Sequence, residues 1–479
     1  MARDVAAHAI KFGTDGWRAI IADEFTFANV RACAQATAQY VRGTGNASRG
    51  IVVGYDTRFA SEEFAAATAE VLAANEVPVF LCSAPAPTPV IGYAILGRKS
   101  AGSVVITSSH NPAAYNGFKV RTEYAGSAPP EVLAQIEALI PAALAADVPR
   151  LPLEDAKARG LVQVFDPKPE YMAHLGELLD LGALRAAGLR VVADPMYGAG
   201  AGYLAEVLSG GKTQVWEMRG ERNPAFPGMH NPEPIPRNLE ATSEFVRKRG
   251  AQVALATDGD ADRIGVMDGE GRFVNQLQTF ALLAYHLLEV RGLRGAMVKS
   301  VTTTSMIPRL GELYGVPVHE TAVGFKYLGP KMRETDALIA GEESGGFAFR
   351  GHLPERDGVL SGLYVLELMA RRGKELPDLI AELYAKVGEH YYDRIDITMT
   401  PADRDRVEAL LPGLEPQTLA GLQVTSSDRV DGLRFHLEGG AWALIRLSGT
   451  EPLMRIYTEV RRADQVQPVL AAVRELTGA

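Results

Sequence analysis

Short β-rich apolar runs alternate with longer helical patterns along most of the chain. From Ile51 onward a strand, a helix and two further strands follow one another as IVVGYD, SEEFAAATAEVLAANE, VPVFLCSA and SVVITSS. This alternation predicts parallel or mixed sheets flanked by helices. A helical pattern from Pro130 to Ala145, followed by prolines, marks a boundary, so we predict a first α/β domain over 1–150.

The same alternation recurs twice. From near Val162, GLRVVADPMYGAGAGYLAEVL predicts a strand, a glycine turn and a helix, and NLEATSEFVRKRG leads by a helix into the strand AQVALATD. These elements indicate a second α/β domain over 151–272. Helices and strands then alternate through TFALLAYHLLEVRG, GAMVKS, TTSMIPRLGELYG, PVHET, DALIAGEES and GVLSGLYVLELMARRG. They indicate a third α/β domain over 273–388.

After about Glu389 the pattern changes to closely spaced strands with few helices. YYDRIDITMT, GLRFHLEGG, AWALIRLSG and RIYTEV are followed by a final helix, ADQVQPVLAAVRELTG. This predicts a smaller α+β domain over 389–479. Within the second domain, ERNPAFPGMHNPEPIPRN contains too many prolines for a helix or a central strand, so we predict a long surface connection there.

Composition agrees with several globular domains and restricts the partners. A chain of 479 residues is too long for one core at the usual ~100–200 residues per domain. Its net charge of −9 does not favour nucleic acid or an anionic membrane as partner. Cys33 and Cys82 lie in apolar runs and indicate no disulfide framework. The sequence shows no signal peptide and no long apolar stretch, so we expect a cytoplasmic protein.

Three aspartates, Asp258, Asp260 and Asp262, occupy alternate positions between two apolar runs. Three carboxylates in one short loop form an oxygen cage that suits Mg²⁺ and would repel one another without a cation. An EF-hand is excluded, because its sixth position requires Gly and its twelfth Glu, where this chain has Arg263 and Gly269. The alternative is a solvated acidic turn between two strands.

A second polar segment, TSSHNP, follows the strand-like SVVIT and contains Ser109 and His110. Hydroxyl and imidazole groups at the carboxyl end of a strand stand where α/β sites usually lie, so a nucleophilic serine is one hypothesis. An ordinary Asn-Pro turn is the other. The chain has no GxSxG elbow, which disfavours a hydrolase triad.

Two further loops suit a phosphorylated sugar. RLSGTEP, with Arg455 beyond it, combines guanidiniums, hydroxyls and backbone amides around a glycine, and such groups bind phosphate. The alternative is an ordinary strand-to-turn junction with exposed arginines. GEESGG offers two carboxylates and a hydroxyl that suit sugar hydroxyls, although the paired glutamates could also be a solvated turn or an acid/base pair.

Five segments, FGTDGWR, TSSHNP followed by YNGFK, DGDADR, GEESGG and RLSGTEP, occur in an order that resembles the α-D-phosphohexomutase family, which includes phosphoglucomutase and phosphomannomutase. The resemblance spans the whole chain. It implies an intramolecular phosphotransferase of the isomerase class. It also implies three similar α/β domains with mixed sheets and a C-terminal α+β domain of TATA-binding-protein-like fold, all facing a central cleft.

The resemblance also assigns roles to individual residues. It implies that Ser109 is phosphorylated and that one Mg²⁺ is bound by Ser109, Asp258, Asp260 and Asp262. The implied catalytic residues are Ser109, Arg18, Lys119, His110 and Arg263. The implied substrate-binding residues are Lys299, Lys326, Glu342, Ser344, Arg446, Ser448, Gly449, Thr450 and Arg455. Both Lys119 and His110 remain candidates for the proton shuttle.

The implied partners are small-molecule sugar phosphates, with a hexose 1,6-bisphosphate as intermediate and activator. Glucose is favoured, because GEES and TAVGFK resemble the loops of glucose-type members and Gly346 stands where mannose and glucosamine members often have His. TSSHNP in place of the commoner TASHNP, and the missing proline in TAVGFK, leave mannose or dual use open. Glucosamine phosphate and a non-catalytic sugar-phosphate-binding protein are the further alternatives. The sequence leaves the oligomeric state open between monomer and dimer.

Overall fold

The strands of the computed structural model, which describes residues 10–13, 15–448 and 452–478, coincide with the short apolar runs of the sequence. In chain order they are β1 (Trp17–Ile20), β2 (Ile51–Tyr55), β3 (Val79–Cys82), β4 (Gly102–Ile106), β5 (Tyr115–Thr122), β6 (Val162–Phe165), β7 (Arg190–Asp194), β8 (Gln214–Glu217), β9 (Val253–Thr257), β10 (Ile264–Asp268), β11 (Phe273–Val274), β12 (Met297–Ser300), β13 (Val318–Thr321), β14 (Ile339–Gly341), β15 (Phe347–Phe349), β16 (Tyr391–Thr398), β17 (Thr418–Leu419), β18 (Leu422–Asp428), β19 (Leu433–Leu437), β20 (Ala441–Leu447) and β21 (Leu453–Val460).

Several helices begin at prolines or capping residues; for example, the Asp357 side chain accepts the N–H of Leu360 at the start of one of them. In chain order the α-helices are α1 (Phe27–Gly43), α2 (Ser61–Ala74), α3 (Thr88–Arg98), α4 (Pro130–Ala145), α5 (Leu153–Ala158), α6 (Lys168–Leu178), α7 (Leu181–Ala186), α8 (Tyr203–Val207), α9 (Glu240–Arg249), α10 (Gln276–Tyr285), α11 (Met306–Tyr314), α12 (Phe325–Glu334), α13 (Gly358–Arg372), α14 (Leu376–Val387), α15 (Pro401–Leu410) and α16 (Val466–Thr477).

The described chain divides into two units. The first contains the residues up to Asn275 together with Ser344–Glu375, and the second contains Gln276–Glu343 together with the residues from Leu376 onward. The division falls within the GEESGG segment, because Glu343 belongs to the second unit and Ser344 to the first.

The first unit contains a mixed six-stranded sheet in the order β1-β5-β4-β2-β3-β6. Strands β4, β2, β3 and β6 are parallel neighbours, whereas β5 is antiparallel to both β4 and β1. Sequence analysis assigned the run at Val162 to a second domain, but β6 pairs with β3 and extends the first sheet past residue 150. The short helix α5 directly precedes β6 and packs on α2. It is part of the connection that carries the chain to the edge of the sheet next to β3.

A second mixed sheet in the first unit has the order β11-β10-β9-β7-β8. Strands β9 and β10 form an antiparallel pair, and the aspartate loop connects them. Helix α13, which sequence analysis placed in the third domain, packs against β9 and β10 of this sheet. Its apolar pattern predicts the helix correctly, but a pattern on one helix does not specify which sheet the helix covers.

The second unit contains the parallel strands β13, β12 and β14 and a separate antiparallel sheet in the order β16-β21-β20-β19-β18-β17. Helix α16 packs on β16, β20 and β21, and the core of this part is formed by buried aliphatic residues such as Ile445, Ile456 and Leu470. This confirms the predicted change from alternating helices and strands to a strand-rich C-terminal part.

The proline-rich segment 221–238 contains no strand or α-helix, as predicted, but it is not simply a surface connection. Phe226, Asn231 and Asn238 are buried. The Nδ2 atom of Asn231 donates to the carbonyl of His110 at 2.9 Å. Proline content predicts irregular backbone correctly, yet it does not reveal that other parts of the chain cover that backbone.

The α/β class predicted for the chain is confirmed, with a C-terminal part built on an antiparallel sheet. Among the residues that the structure describes, no helix has the length and apolar character required to cross a bilayer.

Candidate active site

Ser109 lies three residues beyond the carboxyl end of β4 and is 1% exposed. Its hydroxyl donates to Oδ2 of Asp258 at 2.8 Å. The backbone of Ser109 has φ of +52°, a left-handed conformation that costs a non-glycine residue free energy and requires surrounding support. The structure therefore joins the TSSHNP and DGDADR segments of the sequence at one hydroxyl–carboxylate contact.

The three aspartates of the β9–β10 loop are fully buried, and one carboxylate oxygen from each lies within 4.8 Å of the others. Oδ1 of Asp260 and Oδ1 of Asp262 have no hydrogen-bond partner among the described residues. Unpartnered, buried carboxylate oxygens that converge on one point are the ligand set of a hard divalent cation. The residues present therefore fit the predicted metal, and the alternative of a solvated turn is wrong.

The pKa values of the three aspartates also indicate that the loop requires additional positive charge. Burial and the negative charges of Asp262 and Asp260 raise the pKa of Asp258 well above its usual value. Burial also raises the pKa of Asp262, although Arg356 opposes this effect. The pKa of Asp260 is lowered in spite of burial, because Lys119 and Thr88 stabilise its anionic form. Two of the three carboxylates thus lack sufficient compensation from the protein alone.

Lys119, on β5, is a buried cation that contacts this loop. Its Nζ lies 2.8 Å from Oδ2 of Asp260, 2.8 Å from Oδ2 of Asp15 and 3.6 Å from Oδ2 of Asp262. Burial lowers the pKa of Lys119, but the carboxylates of Asp15, Asp260 and Asp262 raise it by more. The ammonium group is therefore held in its charged form next to the aspartate loop.

Two predicted guanidiniums also lie here. Nη1 of Arg18 donates to Oδ1 of Asn111 at 2.7 Å, beside the serine loop. The backbone N–H of Arg263 donates to Oδ1 of Asp258 at 3.0 Å, and its guanidinium pairs with Glu233 at 3.3 Å. Both residues thus lie beside the segments that contain Ser109 and Asp258, and their role at the phosphoryl group stays a prediction.

His110 lies next to the nucleophile candidate, with Nδ1 3.2 Å from Oγ of Ser109. Burial, together with the positive charges of Arg263, Arg18 and Lys119, lowers the pKa of His110 well below its usual value. A hydroxyl, a carboxylate trio, an ammonium group, guanidiniums and an imidazole are thus present in one buried cluster. Such a cluster can bind a cation and neutralise the charge of a phosphoryl group.

Sequence reasoning missed a buried ion pair that supports the serine loop. Arg58 is fully buried, and its two terminal nitrogens donate to four backbone carbonyls, which belong to Ser109, Asn111, Pro112 and Tyr115. The distances are 2.6–3.0 Å.

Asp56 completes this support. Its Oδ2 lies 3.2 Å from Nε of Arg58 and accepts the hydroxyl of Thr107, which in turn accepts the N–H of Ser109. The signal was available, because Asp56 and Arg58 directly follow β2, which runs parallel to β4. The carboxyl ends of neighbouring parallel strands meet at one edge of a sheet.

Asp15 and Arg356 were also missed. Nη2 of Arg356 lies 2.7 Å from Oδ2 of Asp15 and 3.0 Å from Oδ2 of Asp262. Arg356 is separated by more than 90 residues from the aspartate loop, and PERDG carries no feature that distinguishes it from a solvated charged turn. Only the three-dimensional contact identifies it.

The GEESGG segment contributes to both units. In the first, the N–H of Ile264 donates to the carbonyl of Gly345 at 2.9 Å, next to Ser344. In the second, Glu342 is buried, and Glu343 accepts hydrogen bonds from Tyr392 at 2.7 Å and from Arg394 at 2.8 Å. Glu343 is thus part of a structural ion pair, whereas Glu342 and Ser344 stay the predicted sugar ligands.

The predicted lysines of the second unit differ in their surroundings. Nζ of Lys299 donates to Oε2 of Glu320 at 2.6 Å. Burial lowers the pKa of Lys299, and the negative charge of Glu320 opposes this effect. Lys326 lies in the first turn of α12, with Nζ 5.4 Å from the ring centre of Tyr327.

The predicted phosphate-binding residues lie around the end of β20. Arg446 on β20 stands directly opposite Arg455 on β21, so two guanidiniums share one end of the sheet. Ser448 is buried, and its carbonyl accepts a hydrogen bond from Arg404 at 2.7 Å. Gly449 and Thr450, which the sequence also assigned to this loop, lie outside the described residues.

The chain is similar to known proteins along most of its length. Family models described as phosphoglucomutase/phosphomannomutase alpha/beta/alpha domains I, II and III match residues 9–146, 169–271 and 275–387 in that order. The model of the phosphoglucomutase/phosphomannomutase C-terminal domain matches residues 402–476.

Individual relatives cover almost the whole chain. A phosphoglucomutase/phosphomannomutase of Thermococcus kodakarensis is 30% identical over 459 residues, which is 96% of this chain and 96% of the relative. A phosphoglucosamine mutase of Cereibacter sphaeroides is 30% identical over 97% of this chain and 98% of its own length. The crystal structure of a provisionally named phosphomannomutase from Thermus thermophilus is 37% identical, with a TM-score of 0.86 and coverage of 98% of this chain and 99% of that one.

The names of these relatives cover glucose, mannose and glucosamine phosphates, so the similarity specifies the type of reaction and not the sugar. By its four domain matches and its full-length relatives, the chain belongs to the phosphoglucomutase/phosphomannomutase family of α-D-phosphohexomutases, which are enzymes of the isomerase class.

Proposed function

We propose that the protein is a Mg²⁺-dependent phosphoglucomutase that interconverts glucose 1-phosphate and glucose 6-phosphate through phosphoserine at Ser109. The observation that carries the proposal is the contact between the Ser109 hydroxyl and Asp258 inside a buried trio of aspartates. A phosphoryl group on that hydroxyl would lie next to the cation that the trio requires. The preference for glucose rests on the GEES and TAVGFK loops and on Gly346.

In the proposed reaction, the Oγ–P bond of phosphoserine breaks as a bond forms between phosphorus and the free hydroxyl of the sugar phosphate. The hydroxyl proton passes to His110, which lies in the Ser109 cluster, because Lys119 is held as a charged ammonium group and has no lone pair to accept it. The glucose 1,6-bisphosphate then reorients, and its other phosphoryl group returns to Ser109. Mg²⁺ bound by Asp258, Asp260 and Asp262 supplies neutralisation of phosphoryl charge in this scheme.

The remaining residues divide between the reactive phosphate and the rest of the substrate. Arg18, Lys119 and Arg263 bring positive charge to the transferring group, as phosphoryl transfer requires. We assign the sugar hydroxyls to Glu342 and Ser344 and the non-reacting phosphate to the loop from Arg446 to Arg455, which includes Ser448, Gly449 and Thr450. Lys299 and Lys326 complete the proposed substrate-binding set.

We retain the four-domain division inferred from the sequence as part of the proposal, with β6 on the sheet of the first domain and α13 on the sheet of the second. A cytoplasmic location is also proposed, because Cys33 and Cys82 are both unpaired and buried. Phosphomannomutase, or a mutase with dual use of glucose and mannose, is the second candidate, supported by the relatives that carry that name.

Substrate preference is the direct test of the proposal. We expect glucose 1-phosphate to be converted with a higher kcat/KM than mannose 1-phosphate or glucosamine 1-phosphate, measured side by side with the same enzyme. A clear preference for either rival sugar would make the glucose assignment wrong while leaving the mutase assignment intact. Absence of turnover on all three would favour a non-catalytic sugar-phosphate-binding protein.

The role of Ser109 is tested against its neighbour. Ser109→Ala removes the proposed nucleophile and should lower mutase activity by at least roughly ten-thousandfold while sugar-phosphate binding persists. Ser108→Ala is the matched control, because the Ser108 hydroxyl is equally buried but has no hydrogen-bond partner among the described residues. Mass spectrometry should find the phosphoryl group on Ser109 of the wild type. Equal loss of activity in the two variants would contradict the assignment.

Metal binding is tested without an activity assay. Mg²⁺ should raise the thermal unfolding midpoint of the wild type, because it offsets repulsion among three buried carboxylates; at 100 times Kd the stabilisation is about 2.7 kcal/mol. Asp258→Asn should abolish most of this shift. Asp194→Asn should retain it, since Asp194 is also buried in the second sheet but pairs with Arg219. A full shift in Asp258→Asn would show that the trio is not the metal site.

The support given by Arg58 is testable through kcat. Arg58→Lys keeps the charge but loses the forked donors that reach four carbonyls, so Ser109 should be misplaced and kcat should fall by about a hundredfold, with KM little changed. Arg49→Lys is the control, because Arg49 also donates to two backbone carbonyls, those of Lys99 and Ser100, away from the serine loop. A kcat unchanged in Arg58→Lys would show that its bonds do not position the nucleophile.

A further inference from the structure

Arg446, proposed above as a phosphate ligand, is held by a carboxylate that the sequence did not single out. Oδ2 of Asp431 lies 3.0 Å from Nε of Arg446 and forms an ion pair with it, without the geometry of a hydrogen bond. The same oxygen accepts the backbone N–H of Val323 at 2.9 Å. One carboxylate oxygen therefore bridges β20 and the TAVGFK segment within the second unit.

The position of Asp431 is fixed by its neighbour in the chain. Gly432 has φ of +97°, and a Cβ at this residue would lie 2.3 Å from the carbonyl oxygen of Ile445 and 3.2 Å from Cα of Arg446. Only glycine allows the backbone to approach β20 this closely. The carboxylate of Asp431 is thereby kept beside Arg446.

The other end of the bridge is fixed as well. The side chain of Val323 packs on the buried apolar cluster of Val301, Trp442, Leu444 and Tyr457. Three residues before Val323, Glu320 accepts a hydrogen bond from Arg434 at 2.8 Å, so the segments 320–323 and 431–434 are joined by two separate polar links. Neither end can shift without disturbing packed or paired groups.

Contact at Nε orients a guanidinium and leaves its terminal nitrogens as the atoms that would meet a phosphate. Arg446 also faces the like charge of Arg455 across the β20–β21 pair. Without Asp431, repulsion between the two guanidiniums would favour other side-chain rotamers of Arg446. A fixed carboxylate on the Nε side offsets that repulsion by Coulomb attraction and so favours the side-chain rotamer that Arg446 has in the structure.

We propose that Asp431 is a positioning residue for the non-reacting phosphate, which it orients Arg446 to bind, and that it links this phosphate site to the TAVGFK segment. The inference rests on the proposed function, because it takes Arg446 as a phosphate ligand. Through Asp431, the strand that carries Arg446 is coupled to the TAVGFK segment that carries Lys326. In the proposed function these two segments contact different parts of the substrate.

The expected kinetic signature is specific. A contact to the non-reacting phosphate is made equally in the ground state and in the transition state, so its loss raises KM and leaves kcat nearly unchanged. Asp431→Asn keeps an oxygen for the N–H of Val323 but removes the charge that orients Arg446. We expect KM for the sugar 1-phosphate to rise about tenfold, the effect of one charge-assisted contact, with kcat within about twofold of the wild type.

Asp428→Asn is the matched control. It makes the same charge change before β19, but Asp428 pairs with Arg434 and His436 and not with Arg446. Thermal unfolding of both variants checks their folding. An unchanged KM in Asp431→Asn, or an equal rise in both variants, would overturn the proposal.

The coupling can be measured on the unmodified enzyme, so it does not depend on the variant folding. Inorganic phosphate at a concentration that saturates its competitive inhibition should slow amide hydrogen exchange at Val323 several-fold, because an oriented Arg446 holds Asp431 against that N–H. Unaltered exchange at Val323 under those conditions would overturn the link. A wild type that turns over none of the three sugar phosphates would instead count against the proposed function, whatever the exchange result.

Discussion

The burial of three aspartates around one point is the constraint on which the first unit depends. Carboxylates within 4.8 Å of one another repel strongly where water cannot screen them. Lys119 and Arg356 supply part of the opposing charge, yet burial still raises the pKa of Asp258 and of Asp262. In the folded unit the negative charge of the three carboxylates is therefore not fully balanced by the protein. A bound cation would balance it, and the same cation could hold a phosphoryl group beside Ser109.

The same constraint explains why so many chain segments meet at Ser109. No single loop carries enough positive charge to balance the trio, so the cations come from β5, from the β9–β10 loop itself and from the segment before α13. Asp15 then pairs with both Lys119 and Arg356 and holds these cations in place. The strand order of the two sheets can be understood as a means of bringing distant charges to one buried location.

How much the sequence predicted depended on how local each feature is. The aspartate loop is a short motif at a strand end, and its metal-binding chemistry follows from residue type and spacing. Ser109 was one hypothesis from the residues, singled out by the family resemblance, and the structure places its hydroxyl against Asp258. Arg58 and Arg356 act through contacts with distant backbone and carboxylate groups, which no local pattern encodes. The same reason applies to β6 and α13. Their patterns predicted a strand and a helix correctly, but tertiary packing decides which sheet each one joins.

The bonds of Arg58 go to carbonyl oxygens of the serine loop, and this has an evolutionary consequence. Every amino acid supplies the same carbonyl, so side chains of the loop other than that of Thr107 can be exchanged without removing the support that Arg58 gives. The loop can therefore retain its conformation while other side chains around Ser109 change. A scaffold of this kind separates the shape of the loop from most of its side chains, so mutations at those positions can be tolerated.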